Sequence, residues 1–393
     1  MSARHGAAVV VHSGGPSPVL NASLAGAIAE SRKHTEISAI YGARFGAKGL
    51  VEGDFVDISG CDAGLLQALA RTPGSAIGCS RRKIEPEEYS GIIGELERRS
   101  VRYLFYTGGN GSMETALALH RMVRGAGREI NVIGIPKTID NDIAGTDHTP
   151  GYASCARYFA HVARDVGADN RALPPPVEII EVLGRTTGWV VAATALARHA
   201  GDDPPHLIYF PENGLSLEQL CADVERVYRR LGRCQVAVCE GQHDETGGWF
   251  DAELNNLPGQ RGVLPANMGQ LLARLVWSAT GLRTRAEKPG LAGRSCAPLI
   301  SETDCTESWR CGEAAVRAAL AGRSGEMVAI RRVAGPAYRS EMETVPLEEI
   351  AGMERQFPAE WMSAEHNDVT PAFVEWAQPL VGEVPPHPRP WAL

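Results

Sequence analysis

The sequence predicts an α/β protein built from two parallel-sheet lobes. Short apolar runs of strand length alternate with segments of helical periodicity, which is the pattern of β-α-β units. The 393 residues exceed what one ordinary core holds, so two domains are expected. Several strands run directly into glycine-rich or polar turns. Because open α/β sheets bind ligands at the carboxyl ends of their strands, we expect a ligand between the two sets of strand ends.

Composition restricts the classes of partner. The chain is 44% hydrophobic and 22% charged, as in ordinary globular proteins, and its net charge of -8 gives no sign of a nucleic-acid partner. No apolar run has the length of a membrane span, and residues 1–5 lead into a strand rather than a signal peptide, so we expect a cytoplasmic protein. The nine cysteines are scattered without a C-x-x-C pair, which favours reduced thiols over disulfides or a zinc site.

The first strand and the turn after it form a candidate anion site. Residues 7–11 predict a strand, Ser13-Gly14-Gly15-Pro16-Ser17-Pro18 follow, and helical spacing begins at Asn21. Free backbone amides in a glycine turn and the positive end of a helix together attract an anion. The turn matches neither the G-x-G-x-x-G dinucleotide fingerprint nor the P-loop, so neither is assigned.

A second strand that leads into a glycine turn is predicted more clearly than the first. Residues 103–106 predict a strand, Thr107-Gly108-Gly109-Asn110-Gly111-Ser112 a turn, and 113–123 a helix that Ser112 caps. Glycines before a helix N-terminus let a phosphate chain lie against the main chain. Between the two glycine turns we expect an irregular surface loop at 41–50, a basic cluster at 78–83 and a helix at 86–99. The basic cluster could contact phosphate, but from its residues alone a solvated face is the favoured interpretation.

The stretch Gly134-Ile135-Pro136-Lys137-Thr138-Ile139-Asp140-Asn141-Asp142 organises the chain. Its apolar start predicts the end of a buried strand, which Pro136 terminates because it has no amide hydrogen to donate. In the loop that follows, Lys137 can neutralise phosphate charge. Asp140 or Asp142 can take a proton from a hydroxyl or hold a metal. From these residues alone, a solvated turn is an equally good interpretation.

A second α/β block is predicted to begin near Tyr152. Its helices are expected at 153–166, 190–197 and 216–231, the last with a capping box formed by Ser216 and Gln219. Pro174-Pro175-Pro176 are expected to break the chain between the first helix and the first strand. The strands are expected at 177–182, 206–210 and 235–239, and they end at the charged residues Arg185, Glu212 and Glu240.

The remainder of the chain predicts fewer regular elements. We expect a polar, turn-rich segment at 251–261, an amphipathic helix at 268–277, a basic loop at 283–290 and Arg294, a helix at 314–321 and a strand at 327–330. The tail with Pro385, Pro386, Pro388 and Pro390 cannot form regular structure and is expected to lie over the surface.

Several patches, each modest alone, converge on one family. They are Gly14-Gly15 followed by Asn21, Gly78-x-x-Arg81, Gly108 to Ser112, Pro136 to Asp142, Leu183-Gly184-Arg185, Glu240, and Arg285 with Arg294. In this order and spacing the chain resembles the phosphofructokinases of the bacterial type, which transfer a phosphoryl group from ATP or pyrophosphate to the 1-hydroxyl of fructose 6-phosphate. The resemblance extends from about Val9 to Val333.

The resemblance implies an architecture and a set of partners. The phosphofructokinase fold has two Rossmann-like parallel-sheet lobes with the active site in the cleft between them. We expect the donor-binding lobe at residues 1–151 plus about 294–343, and the sugar-phosphate lobe at 152–293 plus about 344–393. The expected cofactor is Mg²⁺, the co-substrate is ATP or pyrophosphate, and the assembly is a homodimer or homotetramer.

Roles for individual residues follow from the same resemblance. Asp140 is expected to be the general base that takes the proton from the sugar's 1-hydroxyl. Lys137 and Thr138 would contact the transferring phosphoryl group, and Arg81 would stabilise charge between donor and acceptor. The other contacts are grouped by ligand: for the donor, Gly14, Gly15, Arg81, Gly109, Asn110, Gly111 and Ser112; for the sugar phosphate, Thr138, Asp140, Leu183, Gly184, Arg185, Glu240, Arg294, and Arg285 from a neighbouring subunit; for the metal, Asn110 and Asp142.

Departures from the family pattern leave the donor open. ATP users usually read G-G-D-G and pyrophosphate users G-G-D-D or G-G-N-D, whereas this chain has Gly109-Asn110-Gly111. Asn110 can offer magnesium a carbonyl oxygen but no charge. Gly111 leaves room for the inner phosphate of a nucleotide. Lys137 is typical of pyrophosphate users but also occurs in ATP users of the family, and the run 146–152 resembles the branch that contains pyrophosphate enzymes. ATP is favoured by a small margin over pyrophosphate.

The acceptor is open as well. Pro176 stands where the bacterial ATP enzymes place an arginine for the sugar 6-phosphate, and Leu291 stands where they place His or Tyr. Because polar contacts set specificity, a kinase for another sugar phosphate is an alternative to a fructose 6-phosphate enzyme. A homologue that binds a phosphorylated metabolite without turning it over is a further alternative, which Asn110 and Gly111 motivate.

Overall fold

The computed structural model describes residues 5–173, 176–248, 250 and 267–389. The chain divides into two compact units: unit 1 is Met1–Tyr152 with Arg294–Arg355, and unit 2 is Ala153–Gly293 with Gln356–Leu393. The chain therefore passes from unit 1 back to unit 2 after Arg355, whereas this boundary was predicted near 343. Some predicted features lie outside the described residues: the turn-rich segment at 251–261, and Pro174, Pro175 and Pro390 of the two proline-rich stretches.

The described strands and helices have the following bounds. The strands are β1 Gly6–His12, β2 Ile37–Ala43, β3 Phe55–Asp57, β4 Val101–Gly108, β5 Asn131–Pro136, β6 Val177–Val182, β7 Leu207–Ile208, β8 Cys234–Cys239, β9 Thr284–Glu287, β10 Glu326–Arg332 and β11 Ser340–Pro346. The helices are α1 Leu20–Ser31, α2 Ala47–Glu52, α3 Ala63–Ala70, α4 Tyr89–Arg98, α5 Asn110–Gly125, α6 Tyr152–Ala172, α7 Trp189–Ala193, α8 Leu217–Leu231, α9 Met268–Thr280, α10 Glu302–Leu320, α11 Leu347–Ile350 and α12 Pro371–Val381. None of these helices is both long and apolar enough to cross a membrane.

Unit 1 is built on a seven-stranded sheet with the order β11-β10-β5-β4-β1-β2-β3. The central strands are parallel, as predicted, while β3 and β11 run antiparallel to their neighbours. The pairing of β11 with β10 explains why the chain stays in unit 1 beyond residue 343. Neighbouring residues of β4 show the two apolar layers: Phe105 packs in the layer of α1 and α10, and Tyr106 in the layer of α4 and α5.

Helices α1 and α10 lie in unusually close contact. A Cβ atom at Gly26 would lie 2.0 Å from the Trp309 carbonyl oxygen, and one at Gly312 would lie 2.0 Å from the Ser23 carbonyl oxygen. These two positions therefore have no room for a side chain. Their glycines let the helix backbones touch and close one apolar layer of the unit.

Three predictions for unit 1 are wrong. The segment 41–50 is not an irregular loop, because it contains the end of β2 and the start of α2. Ser112 does not cap α5, which begins at Asn110 with Gly109 in the capping position. Helix α10 begins at Glu302 rather than 314, since Ser301 caps it by accepting a hydrogen bond from the Asp304 amide.

Unit 2 is built on a four-stranded parallel sheet with the order β7-β8-β6-β9. The strands predicted at 177–182 and 235–239 are confirmed, whereas the one predicted at 206–210 is reduced to the two residues of β7. The basic segment 283–290 is not only a loop, because it contains β9, which pairs with β6. The predicted capping box is half formed: Ser216 accepts from the Gln219 amide, but the Gln219 side chain donates to Asp223.

The end of the chain packs on unit 2 by aromatic contacts and by hydrogen bonds to its backbone. The aromatic rings that cluster are Trp189, Phe210, Phe357, Trp361, Phe373 and Trp376. Beyond α12, residues 382–389 have no regular structure. Arg157 of α6 donates to the Val381 and Glu383 carbonyls, and Arg164 donates to that of Pro385. The prediction of an irregular tail that lies along the surface is confirmed for the described residues.

Candidate active site

The loop after β5 is held in place by its own backbone and by residues 149–151. Strand β5 ends at Pro136, as predicted, and the Lys137 amide donates to the Gly108 carbonyl at 3.0 Å. The Thr138 amide donates to the Pro150 carbonyl at 3.2 Å, and Thr149 Oγ1 donates to the Thr138 carbonyl at 2.9 Å. The loop is therefore a fixed structure rather than a solvated turn.

Asn141 makes the sharp turn between the two carboxylates of this loop. Its backbone has a φ of 58°, in the left-handed region that most residues avoid. The residue is fully buried, and its Oδ1 accepts a hydrogen bond from the Thr149 amide at 2.9 Å. On either side, Asp140 and Asp142 are half-buried, and the Asp140 amide donates to Thr138 Oγ1 at 3.1 Å.

Lys137 is a buried cation aimed at the first glycine turn. It is 5% exposed, and its Nζ donates to the Gly15 carbonyl oxygen at 2.7 Å. Burial lowers the pKa of Lys137 from 10.5 to about 8, although the nearby carboxylates of Asp140 and Asp142 act in the opposite direction. An ammonium of this kind gains strongly from a bound phosphate.

Two arginines join Lys137 at the same turn. A Cβ atom at Gly15 would lie 2.7 Å from Arg294 Nη1 and 3.5 Å from Arg81 Nη2, and one at Gly14 would lie 3.2 Å from Lys137 Nζ. Gly14 also has a φ of 79°, which favours glycine. Unit 1 thus gathers three cationic side chains around a pair of glycines, which is an arrangement suited to a polyphosphate.

His12 lies at the end of β1 in the same region, and sequence reasoning missed it. Its Nδ1 is 2.8 Å from Ser75 Oγ. Burial, assisted by the charge of Lys137, lowers the pKa of His12 to about 3. The ring is therefore neutral at physiological pH, so it does not repel the ammonium beside it.

The second glycine turn contacts the loop after β5 through Asn110. Its Nδ2 donates to the Asp142 carbonyl and to Asp142 Oδ2, both at 3.0 Å. Its Oδ1 is buried and has no hydrogen-bond partner within the described chain. At Gly111, a Cβ atom would meet nothing within 4 Å, so this position borders open space. Ser112 is buried, and its Oγ lies against Gly108.

The residues present fit a magnesium ion that a phosphate donor would bring. No group of three His, Cys, Asp or Glu side chains that could hold a metal occurs in the described part of the chain. Magnesium is usually held by one or two protein oxygens together with substrate phosphates and water. Asn110 Oδ1, which needs a partner, and the adjoining Asp142 carboxylate supply such oxygens.

In unit 2 the structure brings together Leu183, Gly184, Arg185 and Glu240. The Arg185 amide donates to Glu240 Oε1 at 3.3 Å, and Arg185 has a φ of 55° with an exposed side chain. Burial raises the pKa of Glu240. A Cβ atom at Gly241 would lie 1.8 Å from the Arg185 carbonyl oxygen, so this turn depends on that glycine. Its strained backbone presents a guanidinium at the carboxyl end of β6.

Arg285 does not join this group. It pairs with Glu178 in the register of β9 and β6, near the amino end of β6, whereas Arg185 follows the carboxyl end. The strand from Glu178 to Val182 alone corresponds to roughly 13 Å. Arg294 belongs to unit 1, at Gly15. Of the two positions that depart from the family pattern, Pro176 is buried and Leu291 is 62% exposed.

Sequence reasoning also missed the residues that support the loop after β5 from distant parts of the chain. Asp304 Oδ1 accepts from the Gly151 amide at 2.8 Å. His148 lies between Asp147 Oδ1 at 2.8 Å and Glu307 Oε2 at 2.7 Å. Burial alone would lower the pKa of His148, but these two hydrogen bonds outweigh it and raise the pKa to about 9. Arg355, which is 214 positions from Asn141, bonds to the loop backbone. No local motif marks Asp304, Glu307 or Arg355, whereas His148 lies in the run 146–152, for which no supporting role was predicted.

Comparisons with known proteins agree with this geometry. The family model described as phosphofructokinase matches residues 7–319. The pyrophosphate–fructose 6-phosphate 1-phosphotransferase of Rhodospirillum rubrum is 37% identical over 388 residues, which cover 96% of this chain and 94% of that protein. The sulfofructose kinase of Alkalicoccus urumqiensis is 31% identical over 378 residues, which cover 95% of this chain and 94% of that protein.

A solved structure extends the agreement to the fold. The crystal structure of pyrophosphate-dependent phosphofructokinase from Marinobacter aquaeolei matches with a TM-score of 0.87 and 32% sequence identity, covering 98% of this chain and 94% of that chain. The predicted resemblance and the predicted fold class are both confirmed. The chain belongs to the phosphofructokinase family, and it is a phosphotransferase of the type that acts on a hydroxyl group.

Proposed function

We propose that this protein transfers a phosphoryl group from pyrophosphate to the 1-hydroxyl of fructose 6-phosphate. The observation that carries the proposal is the set of three cations, Lys137, Arg81 and Arg294, around Gly14 and Gly15 in the unit that also holds Asp140. Phosphoryl transfer depends on positioning and on neutralising the charge of the phosphate oxygens. These side chains supply that charge, and the glycines let the phosphates approach the main chain.

The chemical step uses Asp140 as the general base. Its carboxylate takes the proton of the 1-hydroxyl, and the hydroxyl oxygen forms a bond to the terminal phosphorus of pyrophosphate. The bond from that phosphorus to the bridging oxygen breaks, and phosphate leaves with the electron pair. Lys137, Arg81 and Arg294 balance the charge on the phosphoryl group. Magnesium, held by Asn110 and Asp142, would neutralise the remaining donor charge.

Pyrophosphate replaces ATP as the favoured donor. The steric argument for ATP rests on Gly111, and the open space there permits a nucleotide without selecting for one. The Rhodospirillum relative and the Marinobacter structure, which both match nearly the whole chain, carry names with pyrophosphate as the donor. Lys137, which resembles the pyrophosphate enzymes, agrees with them.

The donor assignment is tested by comparing kcat/KM for pyrophosphate and for ATP with fructose 6-phosphate as the acceptor. We expect pyrophosphate to be preferred by at least about tenfold, a difference of about 1.4 kcal/mol in transition-state binding. Gly111→Asp is the matched variant, because its side chain enters open space and its charge would repel a nucleotide's inner phosphate. It should abolish residual ATP use and spare pyrophosphate use. Equal or better use of ATP by the unaltered protein would refute the assignment.

Sulfofructose is a second candidate acceptor. The full-length similarity to a sulfofructose kinase and the presence of Pro176 in place of an arginine both favour it. A sulfonate carries less negative charge than a phosphate monoester at neutral pH, so it needs fewer cationic contacts. Initial rates with both acceptors at matched donor concentration decide between them. A kcat/KM for sulfofructose above that for fructose 6-phosphate would replace the first proposal.

We also propose that Arg285 serves the site of a neighbouring subunit in a homo-oligomer. It lies near the amino end of β6, which places it far from Arg185 of its own chain. Mixing inactive Arg285→Ala and Asp140→Ala subunits should restore part of the activity, since one mixed site then has both residues. No recovery in mixed oligomers would contradict a role across subunits.

A further inference from the structure

We propose that Arg355 is a positioning residue that fixes the backbone of the catalytic loop, so that the carboxylates of Asp140 and Asp142 point where the reaction needs them. The inference rests on the proposed function for its kinetic consequences. Its structural part concerns the loop itself and can be tested separately. Arg355 is the last residue of unit 1 and lies in none of the motifs that carry the family resemblance.

Arg355 binds the loop backbone through its main chain and through its guanidinium. Its amide donates to the Asp142 carbonyl at 2.8 Å. Its Nη2 and Nε donate to the Asn141 carbonyl at 2.9 and 3.2 Å. Its Nη1 donates to the Thr146 and Asp147 carbonyls, both at 2.7 Å. One residue thereby connects the beginning of the loop, where the carboxylates lie, with its returning segment.

These contacts act at the strained point of the loop. Asn141 has the left-handed backbone between Asp140 and Asp142, and relieving that strain requires a rotation about its own N–Cα bond. Such a rotation moves the Asn141 carbonyl and changes the directions of both neighbouring side chains. Two hydrogen bonds from Arg355 to that carbonyl oppose the rotation, and Asn141 Oδ1 is held on the other side by Thr149.

The contacts need an arginine rather than another cation. A guanidinium presents its N–H groups in a rigid plane, so it can serve carbonyls on two sides at once. A lysine at this position keeps the charge but directs its N–H groups from a single atom. Arg355→Lys should therefore behave more like Arg355→Ala than like the unaltered protein.

Steady-state kinetics test the positioning role. We expect Arg355→Ala to lower kcat by about 100-fold, the effect of misplacing a reacting group by about 1 Å, and to change KM for either substrate less than about threefold. Millimolar guanidinium should raise the kcat of Arg355→Ala at least about tenfold, because it can occupy the position that the side chain has left. Arg99→Ala is the matched control, because Arg99 is a half-buried arginine of the same unit that bonds to the Gly53 carbonyl.

The control separates positioning from general stability. Arg99→Ala should retain kcat within about threefold of the unaltered protein and should not respond to guanidinium. The proposal is overturned if Arg355→Ala keeps its kcat within threefold. It is also overturned if its loss is insensitive to guanidinium and is accompanied by a comparable loss in Arg99→Ala.

Hydrogen exchange tests the loop independently of turnover. Amides 143–148 of Arg355→Ala should exchange at least about tenfold faster than in the unaltered protein, while those of β1 should be unchanged. Unchanged exchange at 143–148 would overturn the proposal. If the unaltered protein turned over no sugar phosphate, the proposed function would fail, and the exchange result would still decide whether Arg355 fixes the loop.

Discussion

Raising the pH above 8 should reduce catalysis and at the same time increase the contribution of Lys137 to the stability of the fold, because both effects depend on the charge of this side chain. In the folded chain burial lowers the pKa of Lys137 from 10.5 to about 8. Between these values the unfolded chain holds one more proton than the folded chain, so the free energy of unfolding increases with pH. A shift of this size corresponds to about 3 kcal/mol, gained as the pH rises from 8 to 10.5. Catalysis changes in the opposite direction, since only the ammonium form neutralises phosphate charge.

Two measurements check this prediction. The pH profile of kcat/KM, which reports the free enzyme, should fall about tenfold per pH unit above 8, and kcat should fall only at higher pH because bound phosphate raises the pKa of Lys137. In urea unfolding, the stability of the unaltered protein relative to Lys137→Met should increase by about 2 kcal/mol between pH 7 and pH 10. A flat kcat/KM profile from pH 7 to 10, or an equal stability difference at both pH values, would refute the reasoning.

The remaining predictions concern the base, the buried histidine and the turn in unit 2. Asp140→Asn should lower kcat by about 10²–10⁴-fold with little change in either KM, because it removes the proton acceptor; initial rates that match the unaltered protein would rule out this role. The pKa of His148 is raised to about 9, so the stability that protonated His148 gives the fold is complete below pH 6.5 and is lost as the pH rises to 9. The free energy of unfolding of the unaltered protein relative to His148→Gln should therefore fall by about 3 kcal/mol over this range. A constant difference would contradict the prediction. Gly241→Ala forces a Cβ atom against the Arg185 carbonyl, so it should lower the free energy of unfolding by roughly 1–3 kcal/mol, measured by thermal unfolding. It should also raise KM for the sugar phosphate only. A raised KM for pyrophosphate instead would show that this turn binds the donor.

Local signals in the sequence predicted the elements whose causes are local. Strand β5 ends at Pro136 because proline lacks an amide hydrogen, and the loop after it carries its polar groups within a few residues. Helix α8 begins after Ser216, whose side chain caps it. The same reasoning failed for 41–50, where glycines suggested a loop. There Gly46 and Gly49 allow close backbone contacts instead: their Cβ atoms would lie 2.1 and 2.2 Å from the His12 and Arg44 carbonyl oxygens.

What the sequence did not reveal depends on residues that are far apart along the chain. Strand β9 carries charged residues at the edge of its sheet, so its composition resembles a basic loop until its pairing with β6 is known. Two residues that support the loop after β5, Asp304 and Arg355, lie 153 and 214 positions from the groups they bind, and hydrogen bonds to backbone leave no sequence pattern. The comparisons do not support the preference for ATP, which rested on the absence of a side chain at Gly111; such an absence permits a ligand but does not identify it.

The order in which the two units are encoded has a consequence for synthesis on the ribosome. Helix α10 and strands β10 and β11 complete unit 1, yet they are translated only after residues 153–293 of unit 2. A nascent chain that ends at residue 152 therefore exposes the face of α1 that α10 later covers, including Gly26 and its apolar neighbours. We therefore expect this partly made protein to bind ribosome-associated chaperones, and a gene cut at codon 152 would divide the core of unit 1 between two products.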